Sequence, residues 1–163
     1  MFKRKVKLDN YTKFNNEEEV REFIENFYEE YLNTLDDEKT SCLIRTHNFG
    51  VTTQNINDRK IIKAIDVSIA DVPKTPYGIV VFRGDDNNCY KNENRPYLAH
   101  TFLTGTADNY TKKGKKYEVY IPAGAKILPT CGLNIPGAFT EEEVLLDRNK
   151  LKKIAKFKYI YKD

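Results

Sequence analysis

Tryptophan is absent from this sequence of 163 residues, methionine occurs once and histidine only twice. His47 and His100 lie far apart, so a histidine-built metal site or a Cys/His catalytic pair has little material. A structural role is the expectation for His100, although it precedes Thr101-Phe102. The three cysteines, Cys42, Cys89 and Cys131, are an odd number without C-x-x-C spacing. That argues against a disulfide framework or a zinc site and for a reducing compartment. No window approaches the roughly 18 apolar residues of a membrane-spanning helix. The basic stretch Met1–Lys7 leads into no apolar core, so the expectation is a cytoplasmic protein, not exported through a signal peptide and with no membrane partner. Gly/Ser linkers and internal repeats are also missing, which makes 1–163 a single domain.

What is present begins with charge. Net charge is only +3, but residues 110–163 hold 12 Lys and Arg against 6 Asp and Glu, a balance that favours an anionic cofactor or partner without establishing nucleic-acid binding. Asn16 with Glu19 reads as a capping box, followed by Val20, Phe23, Ile24, Phe27, Tyr28, Tyr31, Leu32 and Leu35 at helical spacing. Asn57 or Asp58 starts a second helix carrying Ile61, Ile62, Ile65 and Ile69, which stops near Pro73. The segment from Thr40 to Phe49 fits a short helix or a strand, and the pattern does not choose.

At Ile79 the period changes. Ile79-Val80-Val81-Phe82 is a short β-branched run that ends at Arg83-Gly84-Asp85-Asp86. An Arg delivered at a strand end suits a phosphate, and the Gly after it lets backbone approach a ligand. The alternative is an Arg that pairs with Asp85 or Asp86. Tyr97 to Asp108 holds a Thr-rich stretch, Thr104-Gly105-Thr106, read as strand or strand edge, and Leu128 to Thr140 reads as a loop. Leu151 to Lys162 alternates as a final antiparallel strand. In Glu141-Glu142-Glu143-Val144-Leu145-Leu146 the apolar run reads as a strand. Alternation then places Glu141 and Glu143 on one face, about 6.6 Å apart at Cα, and turns Glu142 away. The plain reading of these glutamates is a solvated charge run.

Taken in order, Phe82-Arg83, Phe102-Leu103-Thr104-Gly105-Thr106 and Glu141-x-Glu143 resemble the three-part signature of the toxin-type mono-ADP-ribosyltransferases of bacteria and phage: aromatic-Arg, Phe-x-Ser-Thr-Ser and Glu-x-Glu. Gly105 departs from the hydroxyl residue usual at that position. Ile121–Ile127 resembles the Pro-x-Gly turn ahead of the last loop of these enzymes. The resemblance covers about 79–162 and implies an α+β fold in which N-terminal helices, about 1–76, pack around two small antiparallel β-sheets. These sheets form an NAD cleft within a β-rich core, about 77–163. It implies NAD as co-substrate, no metal, and cleavage of the bond between nicotinamide and ribose. Arg83 is then expected to bind NAD phosphate, Gly84 to meet the nicotinamide amide through its backbone, and Thr104 and Thr106 to line the cofactor site, with Thr104 positioning Glu143.

By the same resemblance, Glu143 would hydrogen-bond the ribose 2′-hydroxyl, where a fixed carboxylate stabilises the oxocarbenium-like charge built up as nicotinamide leaves. Glu141 would act on the incoming nucleophile; Phe139, on the preceding loop, is expected either to contact the acceptor or to anchor that loop in the core. That acceptor is a macromolecule, protein arginine first and nucleic acid second, and the reading leaves room for an antitoxin or inhibitor. Two other classes stay open: a binding module for protein or nucleic acid with no enzymatic activity, and a glycoside hydrolase. The hydrolase lacks a Trp to stack on sugar rings and gives Arg83 no role.

Overall fold

The structure, a computed structural model, describes residues 8–133 and 142–162, with backbone only for 47–49. The N-terminal part is helical. Asn16 accepts a hydrogen bond from the Glu19 amide at 2.9 Å and starts α1 (Glu17–Phe27), whose first turn is Glu17, Glu18 and Glu19. The sequence led to one helix through Leu35, but it breaks at Tyr28 and resumes as α2 (Glu29–Leu32). The break leaves Tyr28 fully buried against Phe23 and brings Leu32 into the core. The ambiguous segment is helical: α3 (Asp37–Phe49) is capped by the Asp36 carboxylate on the Lys39 amide at 2.8 Å. It packs on α4 (Asp58–Ala70), which buries Ile61, Ile65 and Ile69.

Six strands follow: β1 (Ile79–Gly84), β2 (Tyr97–Thr101), β3 (Lys116–Ile121), β4 (Glu143–Asp147), β5 (Leu151–Ala155) and β6 (Lys158–Tyr161). They form one sheet in the order β4-β2-β1-β3-β6-β5 rather than two separate sheets. The sheet nevertheless has two leaves. β2 and β4 pair from Tyr97↔Asp147 to Thr101↔Glu143, and β1 and β3 pair from Ile79↔Ile121 to Gly84↔Lys116, but β1 meets β2 only at Phe82↔Thr101. The reason lies upstream. Thr12 has taken the edge of β1, donating to the Gly78 carbonyl at 2.8 Å and accepting from the Val80 amide at 2.9 Å. The two leaves therefore splay.

Two sequence expectations change here. Leu151 to Lys162 is a hairpin and not one strand, closed through Phe157 at φ 60°, and β6 runs parallel to β3. The Thr-rich stretch is not a strand: β2 stops at Thr101, and Thr104–Asp108 is a short helix, α5, lying on β1. Alternation along β1 sends Ile79 and Val81 into the main core with the helices. Val80 and Phe82 go to a smaller core with Ala107, Tyr120 and Ile160. No helix among the described residues is long and apolar enough to cross a membrane.

Candidate active site

The seam between the two leaves gathers some of the residues singled out above. Glu143 opens β4, Thr101 ends β2 and Phe82 lies on β1, and their registers place the three in one cross-strand row whose side chains share a face. Glu143 is buried at 4% exposure. Its other flank is formed by a segment that the sequence assigned to a loop. Leu128 bridges Leu145 through both backbone hydrogen bonds, at 3.1 and 2.8 Å, which brings Thr130 opposite Glu143. Thr130 is 1% exposed, and its hydroxyl donates to Glu143 Oε1 at 2.7 Å and stands 3.3 Å from the Glu143 carbonyl.

The turn that carries Thr130, Thr130–Gly132, is clamped by the helices. A Cβ on Gly132 would come within 2.6 Å of both Ile24 Cγ2 and Leu32 Cδ1, so a larger residue there would have to displace these two side chains. Between them, Cys131 is buried, and its thiol is pushed well above the ordinary range, first by burial and then by the charges of Glu143 and Glu142.

Glu142 is buried and not solvated. It precedes β4, adopts φ 45°, and accepts a hydrogen bond from the Thr106 hydroxyl at 2.7 Å, while its carbonyl accepts from the Phe102 amide at 3.1 Å. β4 begins only at Glu143, so the direction of Glu142 is set by the corner before the strand and not by strand alternation. Glu141 and Phe139 lie outside the described residues. Thr106 is thus tied to Glu142, and Thr104 is exposed at the start of α5.

Arg83, one residue beyond Phe82 on β1, is out of phase with the Glu143 row. Its Nε donates to Asp85 at 2.9 Å and its Nη1 donates to the Ala99 carbonyl, filling the gap where the leaves separate. Burial disfavours its charge, yet Asp85, Tyr90 and Cys89 together outweigh it and the guanidinium is held above its ordinary value. Asp85 also accepts from the Asn87 and Cys89 amides, and these bonds with Arg83 bring its carboxyl down to about 2 against the opposing effect of burial. Behind Arg83, His100 is fully buried and held down to about 3, first by burial and then by the Arg83 charge. The Leu98 carbonyl can only accept, so His100 Nδ1 carries the proton and Nε2 accepts from the Tyr90 hydroxyl at 2.8 Å. Gly84 has a packing reason of its own: a Cβ there would sit 2.0 Å from the Ala107 carbonyl of α5.

The structure therefore brings together Glu143, Thr101 and Phe82 at the seam, with Arg83 beside them, and places Thr106 on Glu142. Sequence reasoning missed Thr130 and the burial of Glu142. Ile127-Leu128-Pro129-Thr130 carries no apolar/polar alternation, so no period-2 signal marks a strand-like segment beside β4. The Arg83–Asp85 pair was among the readings of the sequence.

No protein-family model and no curated protein sequence matches the chain. Solved structures do. Plx2a, an ADP-ribosyltransferase toxin from Paenibacillus larvae, superposes with a TM-score of 0.63 at 18% identity, over 90% of this chain and 95% of that one. The C3 exoenzyme of Clostridium limosum gives 0.63 at 18% identity over 95% and 98%. C3stau2 from S. aureus, solved with NAD, gives 0.63 at 13% identity over 94% and 97%. The fold is that of the bacterial ADP-ribosyltransferase toxins, an α+β architecture matched over nearly the whole of each chain.

Proposed function

We propose that the protein is an NAD-dependent mono-ADP-ribosyltransferase with Glu143 as its principal catalytic residue. The observation that supports this most is the placement of Glu143: a buried carboxylate fixed by a hydroxyl at the seam of the two leaves, beside the strand that delivers Arg83, in a fold shared with ADP-ribosyltransferase toxins. In this reading Arg83 meets the pyrophosphate of NAD through Nη2, which has no protein partner among the described residues. The Gly84 backbone lies next to the nicotinamide amide.

Glu143 hydrogen-bonds the ribose 2′-hydroxyl. As the bond from ribose C1′ to the nicotinamide nitrogen breaks, its electron pair leaves with neutral nicotinamide and positive charge builds on the sugar. A carboxylate already held in place stabilises that charge without having to reorganise. The acceptor nucleophile then bonds to C1′ and gives its proton to Glu141. Thr104 and Thr106 flank the cofactor, Phe139 meets the acceptor, and the acceptor is protein arginine, with nucleic acid as the second candidate. The activity fits a toxin or effector acting in the cytoplasm of the cell that makes it or receives it.

The test is nicotinamide release from NAD by the purified protein, alone and with a cell lysate as acceptor source. Glu143→Gln should lower release by at least about 100-fold, the scale of removing an electrostatic stabiliser aimed at the transition state. Glu141→Gln should spare slow NAD hydrolysis and abolish labelling of the lysate. Protease or nuclease treatment of the labelled material identifies the acceptor class. A wild-type protein that neither binds nor cleaves NAD refutes the proposal.

A further inference from the structure

Resting on the reading of Glu143 as the catalytic carboxylate, we propose that Thr130 is the residue that positions it, a role the sequence motif assigned to Thr104. Thr130 Oγ1 lies 2.7 Å from Glu143 Oε1 and 3.3 Å from the Glu143 carbonyl, so one hydroxyl engages both the side chain and the backbone of a single residue. Thr130 is buried at 1% exposure, and a hydrogen bond to a carboxylate is of the stronger, charge-assisted kind.

Its aim is fixed from two sides. The paired backbone hydrogen bonds between Leu128 and Leu145 set the register that faces Thr130 with Glu143. The contact of Gly132 with Ile24 and Leu32 holds the following turn against α1 and α2. Thr104, in contrast, is exposed at the start of α5. A long, flexible Glu side chain loses rotamer freedom when held in this way, and that cost is met by folding instead of by each catalytic cycle.

A positioning role makes kcat the sensitive quantity. Thr130→Val keeps the shape and removes the hydroxyl; it should lower kcat for nicotinamide release on the order of 10- to 100-fold, the usual effect of losing a residue that orients a catalytic group. KM for NAD should stay within about 2-fold, because NAD binding does not depend on this hydroxyl. Thr130→Ser, which keeps the donor, should recover most of the rate. In a Glu143→Gln background, Thr130→Val should cost nothing further, since two residues acting as one unit are not additive.

Thermal unfolding of each variant separates misfolding from loss of aim, and Thr130→Ser against Thr130→Val at matched stability keeps the comparison decisive if the valine variant is weakened. Wild-type activity with a dead Glu143→Gln but an unimpaired Thr130→Val overturns this inference alone. Equal losses in Thr130→Ser and Thr130→Val, or additive losses with Glu143→Gln, overturn it as well. An inactive wild type overturns the reading beneath it.

Discussion

Gly84 separates two explanations of one residue. If it is glycine because a ligand must approach, alanine there costs binding and leaves the fold untouched; if it is glycine because α5 must approach, alanine costs stability. The structure favours the second for the side-chain position, since the added Cβ would lie 2.0 Å from the Ala107 carbonyl, 3.1 Å from its carbon and 3.3 Å from the Thr111 amide nitrogen. A carbon in contact with a carbonyl oxygen needs about 3.3 Å, so α5 has to retreat by more than about 1 Å. The obstruction is backbone, and a rotamer change does not relieve it.

Ala107 is itself buried with Val80, Phe82, Tyr120 and Ile160, so the retreat also opens the smaller core. Overpacking of this kind costs about 1–3 kcal/mol, and the loosened core places Gly84→Ala near the top of that range. For a domain of this size about 3 kcal/mol corresponds to a Tm lowered by roughly 6–12 °C. Scanning calorimetry measures the shift, and Gly105→Ala is the internal control: nothing lies within 4 Å of its Cβ position, so replacing a helical glycine should leave Tm unchanged or raise it by the equivalent of up to about 1 kcal/mol. A Gly84→Ala protein with wild-type Tm and weakened NAD binding would refute the packing argument and restore the ligand as the reason.

Further expectations rest on the charges behind the seam. His100 is neutral in the folded state, with its value held at about 3 against an ordinary 6.5, so the unfolded chain takes up a proton first on acidification. Stability is therefore undiminished above about pH 6.5 and falls as pH drops towards 3, by at most about 1.4 kcal/mol per pH unit from this group. Urea titrations at pH 7, 6 and 5 should show a shallower pH slope for His100→Gln than for wild type, and parallel slopes would contradict the assignment. Asp85 acts in a lower window: with its carboxyl at about 2 against an ordinary 3.8, the stability it contributes is present above 3.8 and lost as pH falls towards 2. Asp85→Ala leaves the Arg83 guanidinium, 17% exposed, without its carboxylate and should cost about 3 kcal/mol at pH 7 in the same assay, whereas a loss under 1 kcal/mol would show that the pair contributes little.

The elements readable in the sequence were those whose signal is local. The Asn16 cap with Glu19 and the Ile61, Ile65, Ile69 stripe needed nothing beyond their own turns, and Ile79 to Phe82 carried its own β-branched pattern. What escaped depends on distant partners. Tyr28 sits in the middle of a helical stripe, and only burial against Phe23 shows why the helix breaks there. The turn between β5 and β6 uses a positive φ at Phe157, where no Gly or Asn marks it. Glu142 belongs to a left-handed corner that a run of three glutamates conceals, and Thr130 reaches Glu143 only because Leu128 adds to the far edge of β4. Propensity also failed at Thr104–Asp108, where a Thr-rich sequence folds as helix because α5 is packed onto β1 at Gly84.

The strand order has a consequence for how the protein comes into being. A chain leaves the ribosome from its N-terminus at about 5–20 residues per second, and its early segments can begin to associate before later ones exist. The helices, β1, β2 and β3 are all present while β4 is still unmade, yet the outer partner of β2 is β4, and Glu143 is its first residue. The row of Phe82, Thr101 and Glu143 is completed only once β4 follows β1, β2 and β3, and β6 must follow to take its place beside β3. Nascent and prematurely terminated chains that stop before β4 therefore lack Glu143, and under the function proposed above only products that have passed β4 carry the activity.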